Sequence, residues 1–537
     1  MNMNDWLVNL APEWILLAGA CLSLAVGVTR FSKWGSPLAL ATVLAALIVT
    51  IRLDIPRSGG LFPGLWLTSL TFYVRWITLG IGSLVVMINW HQPADNERGE
   101  YMSMILFSLL GVLLTASAND LIVLFLAIEL VSIPTYVLVA LSREDIRASE
   151  AAVKYFFLGA LSAAILAYGI SFIYGAAGTT AIHRLVGSTV QSTLRGDGVF
   201  GAPMMIGLIL VFAGLSFKVA AVPFHAYAAD VYEGAASPVT GMLGFVPKFA
   251  GFVALCKILT ALDWNLPSQL NWLLWVVAAA TMTVGNVLAL LQRNVKRMLA
   301  YSSIAHTGYM LIALLVGPVA GLGPMRDGVA ALLFYVVVYG AMNLGAFALL
   351  TCFRARGREI ETLDDLGGLA RSAPASALAF AICIFSLMGF PPTAGFLGKL
   401  YIFSSAFSLP LTHPMHGPLI ALAIIGVVNS AIGAAYYLRI VAATYMGPET
   451  ESATPVGGRP VRWGLAMCCI PLLILFAWPA GLTIQARAAT NVLHRSIRPI
   501  GARVTSTKDA VHPATAACES PPAIGEVFVT HEHYPDP

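Results

Sequence analysis

Seven cationic side chains and one carboxylate fall within apolar stretches of this sequence: Arg75, Lys154, Lys218, Lys248, Lys257, Lys399 and Arg439, with Glu129. An ionisable group at the centre of a bilayer costs about 2.5–3.5 kcal/mol even on lenient insertion scales, so each one needs a reason. Position sorts them. Arg75, Lys257 and Arg439 lie near the ends of their stretches, where a long aliphatic stem lets the charge reach the interface. Lys154 stands about one turn inside its stretch and four residues after Glu150, the spacing of a helix-surface ion pair. Lys218, Lys248 and Lys399 lie deep, each beside proline: Pro223 follows the first, Pro247 precedes the second, and Pro391 and Pro392 precede the third.

Such a set can bind and release protons. Burial favours the neutral form of a lysine and a neighbouring carboxylate favours the ammonium, so moving a carboxylate or a proton nearby loads or unloads it. Glu129, in LIVLFLAIELVSIPTY, reads as the one deep acid and is expected to partner Lys218 or Lys154. Two histidines add groups that titrate in the useful range. His225 follows Lys218 by seven residues, hence on about the same helix face, and His306 sits in AYSSIAHTGY with Ser302 and Ser303.

The elements that must position these groups are membrane helices. The 537 residues are 58% hydrophobic and 11% charged, with a mean hydropathy of +0.80, against roughly a quarter charged in soluble chains. Long apolar runs recur, each able to cross hydrocarbon as a helix. A transmembrane barrel would instead show alternating segments of about ten residues. The runs predict about fourteen helices, near 13–29, 36–52, 74–90, 101–117, 120–141, 150–177, 203–232, 236–260, 268–291, 299–317, 327–353, 376–408, 417–446 and 462–484. The first lacks a basic leader and carries Asp5 and Glu13 before it or at its start, so it is expected to stay in the mature protein.

Alternate loops differ in basic residues. One set holds Arg30, Lys33, Arg98, Arg143, Arg147, Arg293, Lys296, Arg297, Arg354, Arg356, Arg358, Arg371, Arg459 and Arg462; the other holds Arg52, Arg57, Arg184, Arg195 and Arg326. The positive-inside rule puts the richer set in the cytoplasm and both termini on the opposite side. The seven cysteines are scattered without metal-ligand spacing, which predicts no metal, iron–sulfur or haem site. No glycine-rich phosphate loop is present either, and nothing suggests binding to nucleic acid. The segment from Arg487 to the end is polar, contains proline, and is expected to be disordered.

Proline removes a backbone donor and clashes with the carbonyl four residues back, so FKVAAVPFHAY and GFPPTAGFLGK predict interrupted helices. At membrane depth, freed backbone is tolerated only inside protein or beside a wet cavity, and each break therefore marks an expected ion path. The two interrupted segments are five helices apart, an odd number, so a second copy would run inverted, as in secondary transporters. The expected organisation is a three-helix segment at 1–100, one repeat at 101–260, a second at 261–446, a C-terminal helix at 447–486 and the tail at 487–537.

Several of these motifs together resemble a known family. ELVSIPTYVLVAL at 129–141, AAVKYFFLGALSAAILAYGISFIYG at 151–175, FKVAAVPFHAYAADVYEGAASPVTG at 217–241, VPKFAGF at 246–252, KRMLAYSSIAHTGYM at 296–310 and GFPPTAGFLGKLYIF at 389–403 resemble subunit N of NADH-quinone oxidoreductase, respiratory complex I. The resemblance spans roughly 100–446. SSIAHTGY and PPTAGFLGK are shared more loosely with the L and M subunits and with multisubunit cation/proton antiporters, whereas KYFFLGALSAAI and DVYEG point to N.

The resemblance implies an antiporter-like proton-pumping subunit. Glu129, Lys218, Lys248 and Lys399 match the family's translocation axis, with Lys154 a further member. It also implies that NAD, FMN, iron–sulfur clusters and quinone are handled by partner subunits and none by this chain. The expected partners are the L and M types and the small A, J and K types, in a bacterial inner (plasma) membrane. Two features depart from the family. The chain reads His225-Ala226-Tyr227-Ala228-Ala229-Asp230 where the family has a Trp and a Pro, and TFYVRW lacks an acid often found there. A subunit of a stand-alone cation/proton antiporter is the alternative, and a structural scaffold is disfavoured because it has no need of four deep charges.

Overall fold

A computed structural model describes residues 7–53, 64–92, 97–142, 145–185, 201–319, 326–355, 357–448 and 454–495. The helices are α1 (Ala11–Gly27), α2 (Gly35–Arg52), α3 (Ser69–Ile88), α4 (Arg98–Ser117), α5 (Leu121–Leu141), α6 (Ile146–Ala177), α7 (Ala202–Val219), α8 (Ala226–Gly234) and α9 (Ser237–Ala261). They continue with α10 (Ser268–Leu290), α11 (Val295–Val316), α12 (Gly328–Cys352), α13 (Pro374–Met388), α14 (Ala394–Ser405), α15 (His416–Met446), α16 (Gly458–Ala477) and α17 (Ala480–Arg495). Among the described residues twelve helices are long and apolar enough to cross a membrane, and α1 and α13 are shorter apolar helices. The chain is an all-α membrane protein. The tail beyond 495 and loop residues such as Arg57, Arg143, Arg195 and Arg356 lie outside the described residues.

Side-chain caps set several helix starts by accepting N–H groups that have no partner within the helix. Asp120 accepts from Ile122 (2.8 Å) before α5, Asn294 from Arg297 (3.1 Å) before α11, and Asp327 from Ala330 (2.9 Å) before α12. Small residues let helices meet backbone to backbone. A Cβ at Gly169 of α6 would lie 2.8 Å from Val211 N and 2.9 Å from Gly207 O of α7, so only glycine fits there. Helix α12 is the hub. Its apolar window is wholly buried, whereas α6, α10 and α15 leave much of theirs exposed as the bundle's outer surface.

The sequence reading needs two amendments. A single last helix at 462–484 is two helices, α16 and α17, separated at Trp478 and Pro479, and α17 runs past Arg487 into the segment expected to be disordered. Helix α17 packs on α3 and α12, and Thr490 Oγ1 donates to Asp327 Oδ2 (3.2 Å). Its polar, amphipathic sequence hid it from a search for apolar runs. The second amendment is a small antiparallel sheet of order β2-β1-β3, from β1 (Phe353–Ala355), β2 (Arg358–Glu359) and β3 (Thr454–Pro455). Strands of two or three residues carry no readable alternation.

Both proline segments are interrupted as expected: α7 stops before Pro223 and α8 resumes after it, while α13 and α14 flank Pro391 and Pro392. Pro247 interrupts nothing. Helix α9 runs through it, so Lys248 sits in a continuous helix.

Candidate functional site

At the first break, Ala220 takes a left-handed conformation (φ 58°, ψ 44°) that ends α7. Such a residue at the helix end lets following N–H groups close the last turn. Ala220 N donates to Phe217 O (3.0 Å) and Ala221 N to Ser216 O (2.8 Å). Side chains add three more bonds at the break. Tyr227 Oη donates to Phe217 O (2.9 Å), Thr307 Oγ1 donates to Val219 O (2.7 Å), and Val222 N donates to Thr281 Oγ1 (3.0 Å). Backbone groups freed at the break thereby find partners inside the protein at these positions.

Lys218 occupies the last turn of α7, with a side chain 4% exposed. Its Nζ donates to Glu129 Oε1 (2.9 Å) and Ser132 Oγ (2.8 Å) of α5 and approaches Tyr136 Oη (3.5 Å). A cation at a helix C-terminus is favoured by about 0.3–1 kcal/mol, more when partly buried. Of the two lysines offered to Glu129 by the sequence, the structure selects Lys218.

Lys154 stands elsewhere. Its side chain is 43% exposed and pairs with Glu150 (2.7 Å), as the spacing predicts, and with Asp230 of α8 (2.9 Å). Asp230 also pairs with Arg297 (2.9 Å), which reaches Glu233 (2.7 Å). Together with Arg147 these charges line a pocket of about 250 Å³.

Lys248, buried in α9, has no carboxylate partner among the described residues. Its Nζ donates to Ser303 O (2.6 Å) and Thr307 Oγ1 (3.0 Å) of α11. Tyr339 Oη donates to Ser303 Oγ (2.7 Å), and Tyr232 Oη lies 3.4 Å from the same oxygen. Between Lys218 and Lys248 is a cavity of about 10 Å³ lined by both lysines, Tyr155, Tyr227 and Tyr232, room for about one water.

His306, one turn beyond Ser302 and Ser303 on α11, is buried between two tyrosines: Nδ1 lies 2.6 Å from Tyr335 Oη and Nε2 2.9 Å from Tyr437 Oη. Ser302 Oγ bonds Tyr437 Oη in turn. Beyond it is the second break, where Gly389 (φ 83°) caps α13 and donates to Phe385 O (3.0 Å). Lys399 reaches back from α14 so that its Nζ donates to Met388 O, at the end of α13, and to Ser430 Oγ of α15 (both 2.9 Å). It also lies over the Tyr309 ring, 5.0 Å from the centroid. Gly389 has room for no side chain, since a Cβ there would come 2.8 Å from Lys399 Cδ.

His225 departs from the sequence reading. Helical register does not carry across Ala220 and Pro223, so His225 does not continue the Lys218 face. It lies at the N-terminus of α8, and its Nδ1 has no hydrogen-bond partner among the described residues.

Three charged groups are buried against partners that the sequence did not announce. Arg75, near the start of α3, is fully buried in protein: Nε donates to Glu13 Oε1 (2.8 Å) and Nη2 to Glu13 Oε2 (2.9 Å), in the first turn of α1. Lys257 is also buried and donates to Ala118 O (3.0 Å). Lys296, assigned to a loop, is buried with Glu359 at 3.4 Å. Each partner is remote in sequence, so no local spacing announces it. Arg439 does fit the helix-end reading, being exposed and bonded to Leu290 O (2.8 Å).

A family model described as NADH:quinone oxidoreductase/Mrp antiporter, TM, matches residues 118–432, which include Glu129, Lys218, Lys248, His306 and Lys399. NADH-quinone oxidoreductase subunit N of Rhodospirillum rubrum is 35% identical over 489 residues, 90% of this chain and 96% of that protein. Its counterpart in Trichlorobacter lovleyi is 41% identical over 387 residues, 72% of this chain and 76% of the relative. A chain in the structure of respiratory complex I from Thermus thermophilus with bound Aureothin has a TM-score of 0.72 at 29% identity, covering 89% of this chain and 99% of its own. The chain belongs to the NADH-quinone oxidoreductase subunit N family.

Proposed function

We propose that this chain is a proton-translocating subunit in the membrane arm of an NADH-quinone oxidoreductase. It carries no redox chemistry of its own and uses energy released when partner subunits pass electrons from NADH to quinone. Those partners hold the NAD, FMN, iron–sulfur and quinone sites, and the chain sits among subunits of the L, M, A, J and K types in a bacterial plasma membrane with both termini on the non-cytoplasmic side.

The observation that carries the reading is the line of protonatable groups through the bundle. It runs from Glu129 and Lys218, across the small cavity, to Lys248, which the Ser303 carbonyl and the Thr307 hydroxyl hold against α11, then past Tyr339, whose ring centroid is 5.2 Å from that of His306, to His306 and on towards Lys399. A buried lysine holds its proton while a carboxylate or helix dipole offsets the loss of water. Protonating or displacing Glu129 withdraws that support from Lys218, and the proton passes to Lys248 through a water in the cavity. From Lys248 the proton moves on to His306, whose imidazole accepts on one nitrogen and releases from the other. Lys154, with Asp230 and Arg297, forms a separate charged pocket near the N-terminal end of α6 and serves as a further member of the set.

Lys218→Ala and Lys399→Ala are expected to leave the complex assembled and to lower the protons moved per electron. Wild-type pumping by either assembled variant would overturn the reading. Recovery of the chain with small antiporter subunits and without NADH- or quinone-reactive partners would favour the stand-alone antiporter instead.

A further inference from the structure

The extramembrane hairpin sends one carboxylate into the bundle. Glu359, at the end of β2, is 5% exposed, and its Oε2 accepts from both Ser237 N (3.2 Å) and Ser237 Oγ (2.9 Å). Ser237 is the first residue of α9, and the preceding residue, Ala236, offers no side-chain cap. A helix start leaves N–H groups without partners inside the helix. Glu359 therefore caps α9 from a distance, as a local Ser or Asp would.

The same oxygen reaches the start of a second helix. Lys296, in the first turn of α11 and fully buried, places its Nζ 3.4 Å from Glu359 Oε2 and donates to Ala235 O (2.7 Å). A cation in a first turn is opposed by the helix dipole, and the carboxylate offsets this. The chain leaving the hairpin is also fixed to α11: Val295 N donates to Glu361 O (2.7 Å), and Asn294 pairs with Thr362.

The helices tied at this point, α9 and α11, are the pair whose contact defines the Lys248 site. Lys248 lies about 16 Å along α9 from Ser237, at 1.5 Å per residue. Its two acceptors, Ser303 O and Thr307 Oγ1, come from α11. Sliding one helix on the other by about 2 Å, across the direction of these bonds of 2.6 and 3.0 Å, would stretch them to about 3.3 and 3.6 Å, weakening the first and breaking the second. We propose that Glu359 is a positioning residue for proton transfer: by capping α9 beside the start of α11, it sets the register that presents Lys248 to Ser303 and Thr307.

This inference rests on the proton-pumping reading, so the test includes Lys248→Ala as its reference. Protons moved per electron are measured on the assembled complex in sealed vesicles for two double variants. Glu359→Gln with Lys296→Met removes both charges and keeps an oxygen to accept from Ser237. Glu359→Ala with Lys296→Met removes the same charges and the cap. The first is expected within twofold of wild type and the second to lose at least half, with electron transfer retained in both. A merely electrostatic or folding role would move the two alike. Equal ratios in the two double variants, with Lys248→Ala impaired, would overturn the positioning role alone. Normal pumping by Lys248→Ala would overturn the functional reading beneath it. Should the alanine double variant not assemble, Ser237→Ala, which deletes one of the two bonds, is expected to fall below wild type, and a wild-type ratio there would reject the proposal.

Discussion

Replacing Glu129 by glutamine removes one charge from a pair whose Nζ and Oε1 are 2.9 Å apart. At an effective dielectric near 20 the attraction between unit charges at that separation is about 6 kcal/mol before solvation is counted. Glutamine keeps an acceptor oxygen, and Lys218 keeps Ser132 Oγ at 2.8 Å and its place at the end of α7. The expected net loss lies near the lower end of the roughly 3–5 kcal/mol for breaking a buried pair. Proton uptake at this point should then no longer follow the redox cycle. Vesicles containing the assembled Glu129→Gln complex are expected to move at least fivefold fewer protons per electron, read with a pH-sensitive dye during NADH oxidation. Glu129→Gln with Lys218→Met should be no worse than either single change, because paired groups act as one unit and their effects do not add. Wild-type pumping by Glu129→Gln, or strictly additive losses in the double variant, would refute the argument.

Other outcomes follow from the same geometry. Thr307→Val deletes both a partner of Lys248 (3.0 Å) and the donor to Val219 O (2.7 Å), so thermal unfolding of the purified complex should show a loss of about 1–3 kcal/mol, together with reduced pumping. Gly389→Ala places a side chain at φ 83° with its Cβ 2.8 Å from Lys399 Cδ, costing about 1–2 kcal/mol from the backbone alone; a variant with unchanged melting and pumping would contradict the cap. Arg75→Ala leaves Glu13 buried without its bidentate partner and should lower stability by about 3–5 kcal/mol, whereas Arg75→Met with Glu13→Leu should recover most of it, as read from melting curves. At Asp365, outside the membrane, burial acts to raise the carboxyl, but N–H groups of Thr362 (2.9 Å) and Glu361 (3.2 Å) and the nearby Arg358 outweigh it and hold the group below its ordinary value. Its contribution is thus present above about pH 4 and lost as pH falls through the depressed value. Proteolysis of the hairpin by an acid-tolerant protease should accelerate only below about pH 4.

The sequence by itself determined the class of protein and the principal cast. Apolar runs long enough to span hydrocarbon located the helices, because a bilayer forces backbone groups to pair within the segment and leaves a local mark on composition. The deep charges Glu129, Lys218, Lys248 and Lys399 stood out for the same reason, and proline located the two breaks because its effect on backbone is local. Tertiary structure decided the pairings. Glu129 meets Lys218, 89 residues away, and leaves Lys154 to Asp230. The buried partnerships of Arg75 with Glu13 and Lys296 with Glu359 likewise join residues about 60 positions apart, at helix ends that in sequence look solvated. His225 was misplaced by extending helical periodicity across a break that only the backbone at Ala220 defines. Which charges enter a bilayer is written into each segment's own composition, whereas which charge each one faces depends on how helices pack, and packing is a property of distant surfaces.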